Sequence, residues 1–302
     1  MSDESAENTG KSPVLVGVAG WSYRDWESVV YSSGQKNKLS YLARYLDCIE
    51  INTSFYRPVP PGMAAKWVRD VSDLEDFTFT AKLYSSFTHD LDDAYPESDV
   101  PQVREGYRPL HDADRLLAVL VQFPYYFRDG EDERERLRRI ADDFGDFPLV
   151  VEVRDSSWAA PRALDFLRGL EMNVACVDMP LTRRSFSEKA VTTGPLAYLR
   201  LHGRNYQSWF NKDAGRDDRY DYLYDDEEMD STLDRIESLR GEADRVAVIW
   251  NNHYRGQAVV NALECTHSLT GESVDVPGLL RESYPRLGAI CGGGHQGALF
   301  DR

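Results

Sequence analysis

The sequence predicts an α/β protein built as a single (β/α)8 barrel of the TIM type, on three observations. Short apolar runs rich in β-branched and aromatic residues alternate with stretches of helical spacing, these runs number eight, and no linker or composition shift divides them. The runs are near-continuous in hydrophobicity, as expected of parallel strands covered on both faces. Eight strand–helix units in roughly 250 residues favour closure, with an open doubly wound sheet as the alternative.

The runs lie at 14–21, 48–56, 77–83, 116–124, 149–155, 173–180, 197–203 and 246–253. Between them, the spacing predicts helices over 39–46, 61–71, 131–144, 158–170, 226–240 and 256–269. The second starts on proline, which a first turn tolerates, and the fifth opens on acidic residues that suit a helix N-terminus. The connection 84–115 is long and acidic with a weak helical pattern near its end, and 181–195 is a doubtful helix. Residues 1–12 are small, polar and acidic and read as a flexible tail. The barrel domain is expected over 13–271, followed by a C-terminal appendage over 272–302 that packs on the barrel or stays mobile.

Hydrophobic residues make up 42% and charged residues 28%, a mixture that excludes disorder, collagen and coiled coil for the whole chain. With 35 basic against 51 acidic residues the formal charge is −16, which disfavours nonspecific nucleic-acid binding and anionic membranes. No apolar stretch has the length of a membrane span, and the N-terminus has no signal or transit pattern, so a cytoplasmic protein is expected. The four cysteines, Cys48, Cys176, Cys265 and Cys291, are too scattered for a disulfide framework and are expected as thiols. Oligomeric state is left open by all of this.

Function is read from the strand ends, since residues two apart on a strand share a face and TIM barrels carry their sites at the C-terminal mouth. Glu50 and Asn52 lie opposite Ile49 and Ile51. Glu152 and Arg154 lie opposite an apolar face of Leu149, Val151 and Val153, and Tyr198, Arg200 and His202 oppose Ala197, Leu199 and Leu201. Lys82, Gln122 and Asp178 end or nearly end their strands. In the last strand, either Asn252 alone or Asn251 with His253 points inward. The inferred cluster thus holds Glu50, Glu152 and Asp178 against Lys82, Arg154 and Arg200, which serves catalysis or a purely structural ion network.

The segments Gly20-Trp21-Ser22-Tyr23-x-x-Trp26, Ile49-Glu50-Ile51-Asn52-x-x-Phe55-Tyr56-Arg57, Val151-Glu152-Val153-Arg154-x-x-x-Trp158, Leu201-His202-Gly203-Arg204-Asn205 and Asn251-Asn252-His253 occur together in one order. Together they resemble the YecE-like family, also called the domain of unknown function 72 family. The resemblance runs from about Val14 to Gly271 and implies a TM1631-like TIM barrel; it implies no reaction.

The constellation permits Glu50 and Glu152 as a general acid and base, with His202 assisting and Asp178 or Glu152 orienting it. Asn52, Asn205, Asn251, Asn252 and His253 are candidate hydrogen-bonding groups for a ligand. Trp21, Tyr23, Trp26 and Tyr56 are candidate stacking surfaces or packing under loops. Gly203 and Arg204 suggest an anion site after the seventh strand, or a turn with a solvated arginine. The loop 206–224 is a candidate lid. The expected activity is metal-independent acid/base hydrolysis or related chemistry on a small polar ligand, sugar-like or phosphorylated. A metal-assisted phosphoesterase using Glu50, Glu152, Asp178, His202 and His253 is one alternative; a noncatalytic ligand-binding or scaffold protein is the other. Cys265, His267, Cys291 and His295 are zinc-capable, but their spacing matches no standard finger. Gly292-x-Gly294-x-x-Gly297 mimics a dinucleotide fingerprint without the βαβ unit that would give it meaning.

Overall fold

The computed structural model describes residues 11–91, 94–180, 182, 185–186, 190–211 and 213–292. Its strands are β1 (Val14–Ala19), β2 (Cys48–Ile51), β3 (Thr78–Lys82), β4 (Leu116–Gln122), β5 (Leu149–Glu152), β6 (Asn173–Asp178), β7 (Leu196–Leu201) and β8 (Arg245–Trp250). Each pairs in parallel with the next, and β8 closes on β1 from Val14↔Val246 to Val18↔Trp250. The chain therefore forms the closed eight-stranded barrel and not the open sheet.

The principal helices are α1 (Lys38–Leu42), α2 (Pro61–Asp70), α3 (Asp99–Asp112), α4 (Glu131–Phe144), α5 (Pro161–Gly169), α6 (Asp226–Arg240), α7 (Gln257–Thr270) and α8 (Gly278–Ser283). The weak helical signal in 84–115 corresponds to α3. Several expected strands end earlier than their apolar runs, for local reasons. After Ile51 the chain turns into the short helix Thr53–Tyr56, where the Ser54 hydroxyl donates to the Ile51 carbonyl. After Glu152, Asp155 accepts the amide of Ser157 and starts a tight turn over Ser156–Ala159. The expected helix 158–170 is divided at Ala160, whose extended backbone precedes Pro161, as the residue before a proline prefers.

Strand parity separates two cores. Ile49, Ile51, Val151, Val153, Leu199 and Leu201 point outward into the cluster shared with the helices. Ala19, Cys48, Ala118, Leu120, Val150, Ala175, Tyr198, Ala247 and Ile249 fill the barrel itself. Gly17 is part of this inner surface; a Cβ there would collide with the Cys48 backbone, so the closeness of β1 and β2 requires glycine. Tyr198 marks the upper limit of the apolar plug, its hydroxyl hydrogen-bonding Glu50 Oε2 and Thr80 Oγ1, both at 3.0 Å.

At the edges, Lys11 pairs with Glu237 and Ser12 bonds the carbonyls of Arg240 and Ala243; the rest of the expected tail, 1–10, lies outside the described residues. Residues 272–292 pack on the barrel through buried Leu280 and Leu287, with Val274 bridging Cys291. Among the described residues, no helix is long and apolar enough to cross a membrane.

Outside β6 and β7 a second polar cluster ties the helix layer to the sheet. Asp178 is buried and accepts from Arg204 Nε and Nη2, from Arg235 Nη1 and from the Tyr224 hydroxyl, at 2.6 to 2.9 Å. Desolvation alone would raise its pKa, but the two arginines and the tyrosine hold the carboxyl below its usual range. A carboxylate with a depressed folded pKa takes up its proton more readily when unfolded, so its stabilisation is present above about pH 4 and fades as acid approaches the depressed value. Asp178→Asn should cost about 3 kcal/mol in urea unfolding at pH 7 and lose less stability than wild type on acidification from pH 4. A cost under about 0.5 kcal/mol would show that the bracket is dispensable.

Candidate active site at the barrel mouth

The floor of the mouth is built on Arg200. From β7 its guanidinium reaches across the barrel to Glu50 on β2, with Nε to Oε2 at 3.0 Å and Nη2 to Oε1 at 2.6 Å. Its third nitrogen donates to Glu152 Oε2 on β5 at 2.9 Å, and Arg154 donates to Glu152 Oε1. Glu50, Glu152 and Arg200 are almost wholly buried, and the fork geometry satisfies both carboxylates, which makes such burial tolerable. Burial pushes the Glu152 pKa up, but Arg200, Arg154, His202 and Lys82 outweigh it and hold the carboxyl far below its ordinary range.

His202, just beyond β7, is bracketed by the same network. Its Nε2 is 3.2 Å from Arg200 Nη1 and its Nδ1 is 2.9 Å from the Asn251 amide. The guanidinium only donates, so it faces Nε2 as an acceptor, while the atom beside Nδ1 is Asn251 Nδ2. Burial, with Arg200 beside it, pushes the imidazole well below its normal pKa and keeps it neutral. Both nitrogens are thus occupied in positioning.

Above this floor opens a cavity of about 920 Å³. Its lining includes Trp21, Tyr23, Asn52, Tyr56, Lys82, Arg200, His202, Asn251 and His253 from the sequence-derived set. Tyr23 stacks flat on His253 at 4.3 Å between ring centroids, while its hydroxyl donates to Ala19 O and lies 3.3 Å from Asn52 Nδ2. Trp21 meets Trp67 edge to face at 5.5 Å. The parity of β8 is settled in favour of Asn251 with His253, because Ala247 and Ile249 face the interior.

Lys82, at the end of β3, differs from the other floor cations. Its ammonium lies 4.4 Å from the centre of the Phe55 ring and, among the described residues, has no hydrogen bond or ion pair. Burial, followed by the charge of Arg200, pushes its pKa down to about 7.

Several sequence-derived assignments need correction. Asp178 points outward from β6 because Ala175, three residues earlier, faces the barrel interior; its carboxylate is bonded by Arg204, Arg235 and Tyr224, and His202 meets it only through its backbone amide, which donates to the Asp178 carbonyl. Arg204 is consumed by Asp178 and Glu228, and the Gly203 amide donates to the Tyr224 hydroxyl, so the expected anion site is already filled by protein. Asn205 caps the short helix Tyr206–Trp209 and holds the carbonyls of Asp218 and Asp221. Asn252 faces the helix layer, donating to Tyr222 O and Asn261 Oδ1. Trp26 is core, its indole donating to the His253 carbonyl. Glu50, Glu152 and Arg154 lie beneath or beside the cavity and do not line it. Without Asp178, the floor carries two carboxylates against Lys82, Arg154 and Arg200.

Conversely, Met63, Trp67, Asp217 and Tyr220 line the cavity without having been assigned to the site, and Gln122, read in the sequence only as a strand end, lines it too. Met63 and Trp67 are four apart on α2 and share one face, a pattern visible in the sequence but indistinguishable there from core. Asp217 and Tyr220 come from the expected lid 206–224, whose described part forms a wall, with Tyr220 against His202 and His253. Among the described residues no group of three His, Cys, Asp or Glu side chains is arranged to hold a metal. Cys265 is buried in α7 with its thiol pushed up to about 12, His267 Nδ1 meets Glu272 O, and His295 lies outside the described residues.

Replacing Arg200 by Met would leave Glu50 and Glu152 buried with most of their compensation gone. A loss of about 3–5 kcal/mol at pH 7 is expected by denaturant unfolding. The deficit should shrink towards pH 5: a buried carboxylate stripped of its cation has a raised folded pKa, so its protonated form is tolerated at low pH and penalised as pH rises. A pH-independent loss below about 1 kcal/mol would contradict this account.

The family model described as "Protein of unknown function DUF72" matches residues 15–285. The UPF0759 protein YunF of Bacillus subtilis is 27% identical over 265 residues, covering 82% of this chain and 92% of YunF. The UPF0759 protein YecE of Escherichia coli K12 is 27% identical over 148 residues, about half of each chain. Among solved structures, the DUF72 family protein TM1631 of Thermotoga maritima is 31% identical with a TM-score of 0.75, covering 85% of this chain and 99% of that one. A DUF72 family protein of Enterococcus faecalis, EF0366, is 27% identical with a TM-score of 0.75, covering 87% and 97%. With the barrel, its motif-bearing mouth and these matches in agreement, the chain belongs to the DUF72 family of TIM-barrel proteins.

Proposed function

We propose that the barrel mouth binds a small sugar-like polyol and acts on it by metal-independent acid/base chemistry centred on Lys82. The observation that carries this reading is an ammonium that, among the described residues, has no ion-pair partner, at the floor of a cavity walled by aromatic rings and amides. Trp21, Trp67, Tyr56 and Tyr220 offer apolar faces on which sugar C–H surfaces rest, and Asn52, Gln122 and Asn251 offer groups matched to hydroxyls. The phosphorylated alternative is weakened because Arg204 and the Gly203 amide are engaged elsewhere.

Paired-carboxylate hydrolysis requires a protonated carboxyl within reach of a leaving group. Glu152 is held ionised and Glu50 has both oxygens bonded to Arg200, so neither meets that need. The same engagement argues against Glu50 and Glu152 as metal ligands. A lysine titrating near 7 is suited to move a proton at neutral pH. In this reading Arg200 supplies fixed positive charge, and Glu50, Glu152 and His202 hold it in place.

Calorimetry with neutral monosaccharides, their phosphates and linear polyols tests the reading, alongside a turnover screen of the same compounds. Neutral sugars should bind at least as well as phosphates. Trp21→Ala should weaken binding about tenfold, in line with roughly 1–1.5 kcal/mol for an aromatic contact. Lys82→Met should leave binding within a few-fold and reduce turnover by at least about 10²-fold. Binding without turnover would support the ligand-binding alternative, and a folded protein that binds none of these compounds would overturn the proposal.

A further inference from the structure

We infer that Lys82 is an imine-forming lysine, and that the ligand it takes is a small aldehyde or ketone such as the open-chain form of an aldose or ketose. This deepens the polyol reading and rests on it. Three features of the site point to covalent use of the amine. Both nearby carboxylates, Glu50 and Glu152, are already bonded by Arg200 and Arg154, so neither ties up the Lys82 nitrogen. Lys82 lines the cavity, and its nitrogen lies over the Phe55 ring, a surface that stabilises a cation without hydrogen-bonding its lone pair once neutral. Gln122 lines the cavity as well, a polar amide for the oxygen of an adding carbonyl.

The groups that set the charge state of Lys82 come from several elements. Burial and the cations Arg200 and Arg154 lower its pKa, while Glu50 and Glu152 raise it; His89, whose own pKa is lowered, and the neutral His202 face the same cluster. With a pKa of about 7, roughly half the side chain is amine at neutral pH, on the order of 10³ more than for an ordinary lysine.

In the step proposed, the Nζ lone pair adds to the carbonyl carbon and the carbonyl π pair moves to oxygen, which takes one proton from nitrogen. The resulting carbinolamine then loses its hydroxyl as water with the second N–H proton, leaving C=N. No oxidant or reductant is needed. Protonation of that imine acidifies the adjacent C–H, so the reaction served is rearrangement or carbon–carbon bond chemistry next to a carbonyl.

The full-length protein is incubated with erythrose and sodium cyanoborohydride, digested, and mapped by mass spectrometry, with binding of the carbonyl-free analogue erythritol measured in parallel. Cyanoborohydride reduces the imine to a stable amine, adding the mass of the sugar less one oxygen. The six other lysines serve as internal references. At pH 7 Lys82 should be labelled at least about 10²-fold faster than exposed Lys66, with the rate half-maximal near pH 7, and Lys82→Arg should remove that label with no change in melting temperature. Erythritol binding with Lys82 labelled no faster than Lys66 would overturn the imine and leave the polyol reading standing. Absence of both binding and selective labelling would overturn both.

Discussion

A single guanidinium organises this barrel. Arg200 lies where the apolar filling of the barrel gives way to its mouth, and it neutralises carboxylates from two strands on other parts of the wall. Charges at that depth are tolerated only with near-complete pairing, because each carries a desolvation penalty of several kcal/mol. The fork of Arg200 on Glu50, the contact to Glu152 and the second arginine on Glu152 meet that demand. Tyr198 below and His202 with Asn251 above extend the network along the barrel axis, so one side chain sets the orientation of groups from β2, β5, β7 and the end of β8.

The arrangement separates structural charge from available charge. Carboxylates with every oxygen engaged are poor proton carriers, and a histidine with both nitrogens engaged is a poor base. What remains at the floor is an ammonium resting on an aromatic ring, denied a carboxylate because its neighbours took them first. Functional sites commonly reveal themselves through such perturbed, underpaired groups. The ionic network therefore engages Glu50 and Glu152 and leaves Lys82, among the described residues, without a carboxylate partner.

A second arginine–carboxylate cluster, around Asp178, performs a different task outside the barrel. It joins the loop after β7 to α6 and to Tyr224, and so fixes the wall that carries Tyr220 into the mouth. Two clusters of similar composition, separated by one sheet, thus serve the floor and the frame. Strand parity alone assigns each carboxylate to its side.

The eight strands, the main helices and the inward faces of β2, β5 and β7 were legible in the sequence, because period two and period 3.6 are local properties of hydrophobic pattern. Glu50, Glu152, Arg200 and His202 could be brought to one place on that basis. Asp178 could not be excluded, since β6 is apolar on both faces and its Cys176 and Val177 give no hint of which points inward. Nor could Arg204 be seen to be spent, because its partners Asp178 and Glu228 lie 26 and 24 positions away in the chain. The sequence by itself determined which residue types stand at the strand ends. Only the folded barrel decided which of them are consumed by one another and which stay open to a ligand, because hydrogen-bond and ion-pair partners are chosen by proximity in space, and barrel closure creates that proximity.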